Sequence, residues 1–361
     1  MARPDYIKQD VPLHAMTTLD VGGHAEFFLE SNDPSKILEA AAWAKRSGVG
    51  LTILGGGSNV VIHDAGVKGR VLRYGGGEWS TTDQGQVVEL TLGAGLNWDD
   101  VVRRTVQQDL VGIECLVGIP GWVGAAPIQN IGAYGQEIAD TALRVEALDL
   151  VEGEPTVLSA EACGFGYRTS RFKTADRGRY LVTALTLGLR RGGQPTIRYG
   201  QLRDRLPEHP SVRSVMEAVA RLRREKSMLA GGRDENARSV GSFFLNPILR
   251  QSALNALQIR VAERGIDPED LPVWPVSSAN ETSAFKVPAA WLIERAGMSK
   301  GWGAGPVGLS TNHTLAIVNR GEASAGDVTL FARSVKAKVL DAFGIALEAE
   351  PQFLGYSASP I

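Results

Sequence analysis

Between the apolar runs Leu51-Thr-Ile-Leu54 and Val60-Val-Ile62 the chain carries Gly55-Gly56-Gly57-Ser58-Asn59. Three glycines permit positive φ and can turn successive N–H groups toward one point. Such a nest binds an anion, and Ser58 and Asn59 add hydroxyl and amide donors. No lysine follows the glycines, so the loop is not a Walker A motif. Val60-Val-Ile62 has strand character and leads to the turn His63-Asp-Ala-Gly66, so a strand-to-helix dinucleotide loop is excluded too. The stretch reads either as a strand–nest–strand anion site or as a Gly-rich hairpin without a ligand.

A second stretch has an unusual composition. From Cys115 to Gln136 no residue is charged, while Gly118, Pro120, Gly121, Gly124, Pro127, Gly132 and Gly135 break any helix. Its polar members are Gln129, Asn130, Tyr134 and Gln136. Irregular buried backbone needs partners for its polar groups. A flat heteroaromatic ligand with polar edges would supply them, and so would a tightly packed loop. A third feature is a basic helix end, with Arg221, Arg223, Arg224 and Lys226. It fits either a solvated face that offsets the helix dipole or a diphosphate clamp. Near the C-terminus, Glu348 and Glu350 share one face of an expected strand.

The totals bound these readings. A chain of 361 residues predicts two or three domains. A net charge of −2 argues against a nucleic-acid partner. Two cysteines, Cys115 and Cys163, have no metal spacing around them and fit a reducing compartment. The N-terminal residues lack the apolar core of a secretory signal, and no window has the apolar length of a membrane span. The expectation is a cytoplasmic protein with no membrane partner.

The elements that must carry these residues can be placed. Residues 1–20 read as an extended arm and His24–Glu30 as a strand. A helix then runs between the cap Asp33-Pro34 and Gly48. Strands follow at the nest and at Arg70–Arg73, and Gly75-Gly76-Gly77 marks a boundary. A second unit holds the strand Gln86–Leu92, the helix Trp98–Gln108 capped by Asn97, and strands Arg144–Val151 and Leu181–Leu189. An insertion over residues 191–206 carries Tyr199, and a helix spans Val212–Lys226. A third unit has helices near Ser252–Glu263 and Ala289–Ala296, a strand His313–Asn319, a long helix Gly326–Phe343 ended by Gly344, and a last strand Ile345–Phe353.

With these pieces in view, the chain resembles the UDP-N-acetylenolpyruvoylglucosamine reductases, flavoenzymes of bacterial peptidoglycan synthesis. The matching pieces occur in order across nearly the whole sequence. They are Gly55-Gly-Gly-Ser-Asn59, Gly118-Ile-Pro-Gly-Trp-Val-Gly124, Gln129-Asn-Ile-Gly-Ala-Tyr-Gly135, Phe165-Gly-Tyr-Arg168, Gly241-Ser-Phe-Phe-Leu-Asn-Pro247 and Glu348-Ala-Glu350. The resemblance implies an α+β protein. Two α/β FAD-binding subdomains of the vanillyl-alcohol-oxidase type would occupy residues 1–76 and 77–228. A C-terminal α/β substrate-binding domain would occupy 229–344, and residues 345–361 would form a strand and tail returning to the active site. It also implies a monomer that uses NADPH and noncovalent FAD. The reaction would put hydride on the enolpyruvyl C3 and a proton on C2, turning UDP-N-acetylglucosamine enolpyruvate into UDP-N-acetylmuramate. The insertion with Tyr199 looks like the substrate-covering loop of the longer type of this family.

Residue by residue, the resemblance makes Ser242 the proton donor and gives Arg168 and Glu350 the enol intermediate beside the substrate carboxylate. It assigns Gly55, Gly56, Gly57, Ser58, Asn59, Gly118, Ile119, Gly124, Gln129 and Asn130 to the cofactor. It assigns Tyr134, Tyr199, Arg223, Lys226 and Asn246 to the substrate. Leu245 departs from members that have Lys there, and Glu348 competes with Glu350 for the catalytic position. Ser310-Thr-Asn-His313 resembles a substrate-domain motif, and a structural role at a strand start fits His313 equally. The chemistry suits the residue types. An enolpyruvyl ether accepts hydride only once its carboxylate is drawn toward an enediolate, and Arg is planar and bidentate for a carboxylate. An alternative is another FAD-dependent oxidoreductase of the same fold acting on a sugar or hydroxy acid. Many of those tether the flavin to a His near the nest, and His63 on the outgoing strand argues against tethering. A non-catalytic FAD or nucleotide-sugar binder is opposed by the coexistence of Arg168, Ser242 and Glu350.

Overall fold

Asp33 and Pro34 start the first helix where the sequence places it. In the computed structural model, which describes residues 3–278 and 281–361, strand β1 (Lys8–Pro12) pairs antiparallel with β2 (His24–Ser31). Helix α1 (Pro34–Arg46) then carries the chain to β3 (Leu51–Ile53). The Asp33 carboxylate accepts from the Ser35 amide at 2.9 Å, and Pro34 sits in the first turn, where no N–H is needed. Beyond the Gly55–Asn59 loop come β4 (Val60–Ile62) and β5 (Val67–Tyr74). β5 lies parallel between β2 and β3, giving the order β1-β2-β5-β3. The arm expected over residues 1–20 therefore contains a strand.

The second sheet follows. Its members are β6 (Trp79–Gln84), β7 (Val87–Gly93), β8 (Leu110–Val111), β11 (Ala142–Asp149), β12 (Glu154–Ser159) and β13 (Tyr180–Arg191). Helix α2 (Trp98–Gln107) lies after β7, and a small hairpin, β9 (Gly132–Ala133) with β10 (Gln136–Glu137), lies before β11. The sheet is antiparallel, ordered β12-β11-β13-β7-β6, with β8 on β13. A short helix α3 (Gly200–Arg203) precedes α4 (Val212–Glu225). Val101, Val102 and Val106 of α2 and Val215, Val219 and Leu222 of α4 join Leu90, Leu92, Leu185 and Leu187 in one core. The helical spacing of the apolar residues of α4 makes that burial possible.

The C-terminal part contains β14 (Ser239–Ser242), β15 (Ile248–Arg250), α5 (Gln251–Glu263), β16 (Trp274–Ser278), β17 (Glu281–Lys286) and α6 (Ala289–Arg295). It ends with β18 (Val307–Leu309), β19 (Ala316–Asn319), α7 (Ala325–Phe343) and β20 (Gln352–Leu354). Two small antiparallel sheets, β14-β19-β18 and β15-β17-β16, accompany the helices. Ser324 and Asp327 form a capping box at the start of α7, and Gly344, with φ +69°, ends it. Phe243, Phe244, Leu257, Leu292, Val335 and Phe343 belong to a second core.

Contacts divide the chain into two compact units. One comprises Met1–Met16, Gly23–Ser58 and Ala65–Gly232, and the other Thr17–Gly22, Asn59–Asp64 and Arg233–Ile361. Two short excursions thus leave the N-terminal sequence and join the C-terminal unit. Leu19, Val21 and Val61 enter its core, and Asn319 Nδ2 donates to Leu19 O at 3.0 Å. No contiguous boundary drawn on the sequence contains such excursions.

Two expected strands differ from the structure. The strand expected from His313 begins at Ala316. His313 lies in a turn, where Ser310 Oγ accepts from the amides of Asn312 and His313. The strand expected over Ile345–Phe353 is broken at Pro351. Before it, Phe244 and Ala349 form an antiparallel bridge. After it, β20 pairs parallel with β4. Proline has no N–H for a ladder, and the chain changes partner there.

Candidate active site

In the first unit Gly55–Ser58 press on the Gly-rich segment. A Cβ on Gly56 would lie 2.8 Å from Gly121 Cα and 2.9 Å from Trp122 N, and one on Gly121 would lie 2.6 Å from Ser58 Oγ. The glycines first of all let two backbones touch. Among the described residues, no acceptor takes the amides of Gly55, Gly56 and Gly57. Gly57 has φ +69°. A run of uncommitted N–H groups is the donor set that a diphosphate requires.

The rest of the segment is held from below. Gly118 N donates to Asp99 Oδ1 at 2.6 Å, and Gly124 N to Ala94 O at 2.9 Å. Ile119 is partly buried against the core. Gln129 Oε1 accepts from Lys173 Nζ at 3.5 Å. The buried polar side chains of Asn130 and Gln136 find partners within the protein. Asn130 donates to Gly166 O at 3.0 Å and accepts from Ala139 N at 2.9 Å. Gln136 accepts from Cys115 N and donates to the buried Glu114, each at 2.8 Å. Both side chains thus have partners within the protein.

The β9–β10 hairpin gathers the expected substrate residues of this unit. Its two-residue turn, Tyr134-Gly135, has φ +49° and +87°, the signs of a type I′ turn. Gly135 is required there, since a Cβ would meet Arg198 Cβ at 2.7 Å. That close approach brings the neighbouring Tyr199 ring edge-on to Tyr134, centroids 5.4 Å apart. Lys226 Nζ lies 5.8 Å from the Tyr134 ring centre. Burial pushes the Tyr134 hydroxyl up to about 12, against the pull of nearby Arg223. Arg223 donates to Met228 O at 2.6 Å, and burial draws its guanidinium down to about 10. Its Nε is buried with no hydrogen-bond partner among the described residues. Arg168 donates through Nη2 to Gly132 O on the same hairpin and has φ +53°. Among the described residues with positive φ, only Tyr134, Arg168 and Ser227 are neither Gly nor Asp or Asn. Such backbones cost about 1–3 kcal/mol each and gather at functional sites.

The second unit brings Ser242 and Glu350 together from opposite ends of its sequence. Ser242 follows Gly241 (φ +72°) at the end of β14, opposite Ala316. Next to it, Phe243 O accepts from Glu350 N at 2.9 Å, and Leu245 N donates to Glu348 O at 2.9 Å. The buried Phe243 and Phe244 anchor this pairing in the core. Glu350 is half-buried and Glu348 exposed. Asn246 Oδ1 accepts from Ala289 N at 2.9 Å at the start of α6, which leaves its NH₂ as donor. His313 Nδ1 accepts from Leu315 N at 3.0 Å, which places its ring proton on Nε2. A residue the sequence did not single out is Asp64. Its carboxylate accepts from Ala325 N and Gly326 N at 2.7 and 2.9 Å and so caps α7. No local pattern links positions 261 residues apart.

Comparison with known proteins meets this geometry. A family model described as UDP-N-acetylenolpyruvoylglucosamine reductase, C-terminal domain, matches residues 233–354, and one described as FAD binding domain matches residues 25–159. The UDP-N-acetylenolpyruvoylglucosamine reductase of Thermobifida fusca (strain YX) is 43% identical over 354 residues, covering 96% of this chain and 98% of that protein. That of Cutibacterium acnes (strain DSM 16379 / KPA171202) is 38% identical over 358 residues, covering 96% and 90%. Among solved structures, the UDP-N-acetylenolpyruvylglucosamine reductase of Thermus caldophilus superposes with a TM-score of 0.65 at 27% identity, covering 95% of this chain and 97% of that one. The relatives span both units, the nest, the strained hairpin and the Ser242–Glu350 pairing alike, and the chain belongs to the UDP-N-acetylenolpyruvoylglucosamine reductase family of FAD-dependent oxidoreductases.

Proposed function

We propose how this chain performs the reaction of its family, the reduction of UDP-N-acetylglucosamine enolpyruvate to UDP-N-acetylmuramate in peptidoglycan synthesis. The uncommitted amides of Gly55–Gly57 fit the diphosphate of FAD. Ser58, Asn59, Gly118, Ile119, Gly124, Gln129 and Asn130 complete a noncovalent cofactor site. Bound FAD supplies hydride chemistry, with NADPH as the source. The chain's own residues do the rest. Arg168 and Glu350 stabilise the enol intermediate beside the substrate carboxylate. Ser242 holds a proton on Oγ and delivers it to C2. A serine is a weak acid, and the intermediate left by hydride addition is basic enough to take its proton. Tyr134, Tyr199, Arg223, Lys226 and Asn246 hold the UDP-sugar. FAD belongs to residues 1–76 and 77–228 and substrate to 229–344, with 345–361 returning to the site. The same reading makes the protein a cytoplasmic monomer. No helix among the described residues is long and apolar enough to cross a membrane.

One observation carries the catalytic assignment: the Glu350 amide donates to the carbonyl of Phe243, the residue after Ser242, at 2.9 Å. Two polar residues distant in sequence are thereby held on neighbouring extended segments, beside the buried Phe243 and Phe244. Separate half-reactions test the roles. In Ser242→Ala, NADPH should bleach the flavin at a near-normal rate, while reoxidation by the enolpyruvyl substrate slows by about 10²–10⁴. Ser242→Cys should recover part of it. Wild-type reoxidation in the alanine variant would make Ser242 structural and move the search for the donor to Glu350.

A further inference from the structure

We propose that Asn59 is a positioning residue for Glu350, so that the last residue of the flavin loop also aims the catalytic carboxylate. The inference rests on the assignment of Glu350 above. Asn59 bonds on both sides of Pro351. Its Nδ2 donates to Glu350 O at 3.4 Å, and its carbonyl accepts from Gln352 N at 3.0 Å. From that point β4 and β20 run on as a parallel pair, Val60 beside Gln352 and Ile62 beside Leu354.

Glu350 is therefore restrained at each end. Its amide donates to Phe243 O at 2.9 Å, and its carbonyl accepts from Asn59. The residue before a proline is confined to extended backbone, and the buried Pro351 imposes that here. With N–H, C=O and ψ all constrained, the side chain leaves the backbone in a fixed direction. The Asn59 side chain is a hydrogen-bond restraint that a substitution can remove without altering the backbone of Glu350 or its successor. The bond also explains why the loop ends in an amide. Asp would have the same shape but no hydrogen to donate to a carbonyl.

The test uses the full-length, flavin-loaded protein and compares Asn59→Ala, Asn59→Ser, Glu350→Gln and the double variant Asn59→Ala/Glu350→Gln. Three quantities are read: flavin bound per chain at saturating FAD, the rate of bleaching by NADPH, and the single-turnover rate of reoxidation by the enolpyruvyl substrate per bound flavin. Misplacing a reacting group by about 1 Å can cost 10²-fold, so Asn59→Ala should slow reoxidation about ten- to a hundredfold. Asn59 also belongs to the cofactor site, so the criterion is the ratio of the two half-reactions: reoxidation per bound flavin should fall at least about tenfold further than bleaching, and Asn59→Ser, which keeps a donor, should recover part of that difference. In the Glu350→Gln background Asn59→Ala should cost nothing further, because no carboxylate remains to be aimed. A loss that multiplies with Glu350→Gln, or one confined to flavin affinity or bleaching, overturns the proposal and leaves Asn59 a flavin-loop residue alone. If Glu350→Gln itself reoxidises at the wild-type rate, the assignment of Glu350 falls, and the proposal falls with it. Should the alanine variant not fold, Asn59→Ser enters the same cycle and is judged by the same criterion.

Discussion

At Tyr134 and Arg168 the backbone takes conformations that large side chains avoid, with φ +49° and +53°. Both side chains are tied to one hairpin, Arg168 through Gly132 O and Tyr134 through the ring of Tyr199. Lys226 stands over the same tyrosine. Two readings of the basic helix end are open to test by this grouping. A solvated face needs no partner. A diphosphate clamp needs Lys226 and Tyr199 on one surface, and the hairpin puts them there. Lys226→Ala should therefore raise the Michaelis constant for the sugar nucleotide. Losing a charge-assisted hydrogen bond costs about 1.5–3 kcal/mol, roughly ten- to a hundredfold. Tyr199→Phe should act in the same direction, and NADPH-driven bleaching should be unaffected in both. Steady-state kinetics with the enolpyruvyl sugar nucleotide as variable substrate checks this. An unchanged constant in Lys226→Ala would make the basic helix end a solvated face.

At the scale of elements, adjacent glycines of one loop have different tasks. A Cβ on Gly56 would strike the backbone of Gly121 and Trp122 at 2.8–2.9 Å, whereas one on Gly55 would meet only Ala125 Cβ at 3.3 Å. Overpacking against a backbone that cannot yield costs about 1–3 kcal/mol. Gly56→Ala should lower the melting temperature of the flavin-free protein as well as weaken FAD binding, and Gly55→Ala should do less of both. Thermal melts of apoprotein beside flavin titrations distinguish packing from ligand contact. If Gly56→Ala melts like wild type without flavin, the loop-to-loop contact has no energetic weight. The switch at Pro351 is another element-scale feature. One short sequence leaves an antiparallel partner, loses a donor, and joins β4 in parallel.

For the whole molecule, both cysteines lie in the first unit and are buried, with free thiols. Burial pushes the Cys163 thiol up to about 11 and Cys115 higher still, the latter aided by Glu114. The thiolate is the species that reacts. Iodoacetamide at pH 8 should modify neither residue in the native protein, and alkylation should keep pace with unfolding of the first unit. Urea-dependent labelling followed by mass spectrometry measures that, with tryptophan emission as a second probe. Labelling of either cysteine well below the unfolding transition would contradict the packing of this core.

Much of this was legible in the residues. Asp33, Pro34, Asn97 and Gly344 fix helix ends because capping is a local exchange between neighbouring groups. The apolar spacing of α4 and the glycine-rich loop are likewise local, and the ordered motifs sufficed to point to the family. Other features were decided only when distant segments met. β6 is exposed along nearly its whole length and shows no alternation, so its pairing with β7 makes it a strand. Asn130 and Gln136 carry donors and acceptors that suit a ligand equally well. Their protein partners, Gly166, Ala139, Cys115 and Glu114, settle where those groups point. Glu348 and Glu350 are equivalent to a period-two rule, and the partner change at Pro351 makes them unlike. The excursions over Thr17–Gly22 and Asn59–Asp64 follow the same logic. Sequence by itself determined what each segment could do, because propensity, capping and charge act over a few residues. Tertiary structure decided which capacity was used, because the hydrogen bond between Asn59 and Glu350 joins residues 291 positions apart, next to the point where β4 and β20 pair.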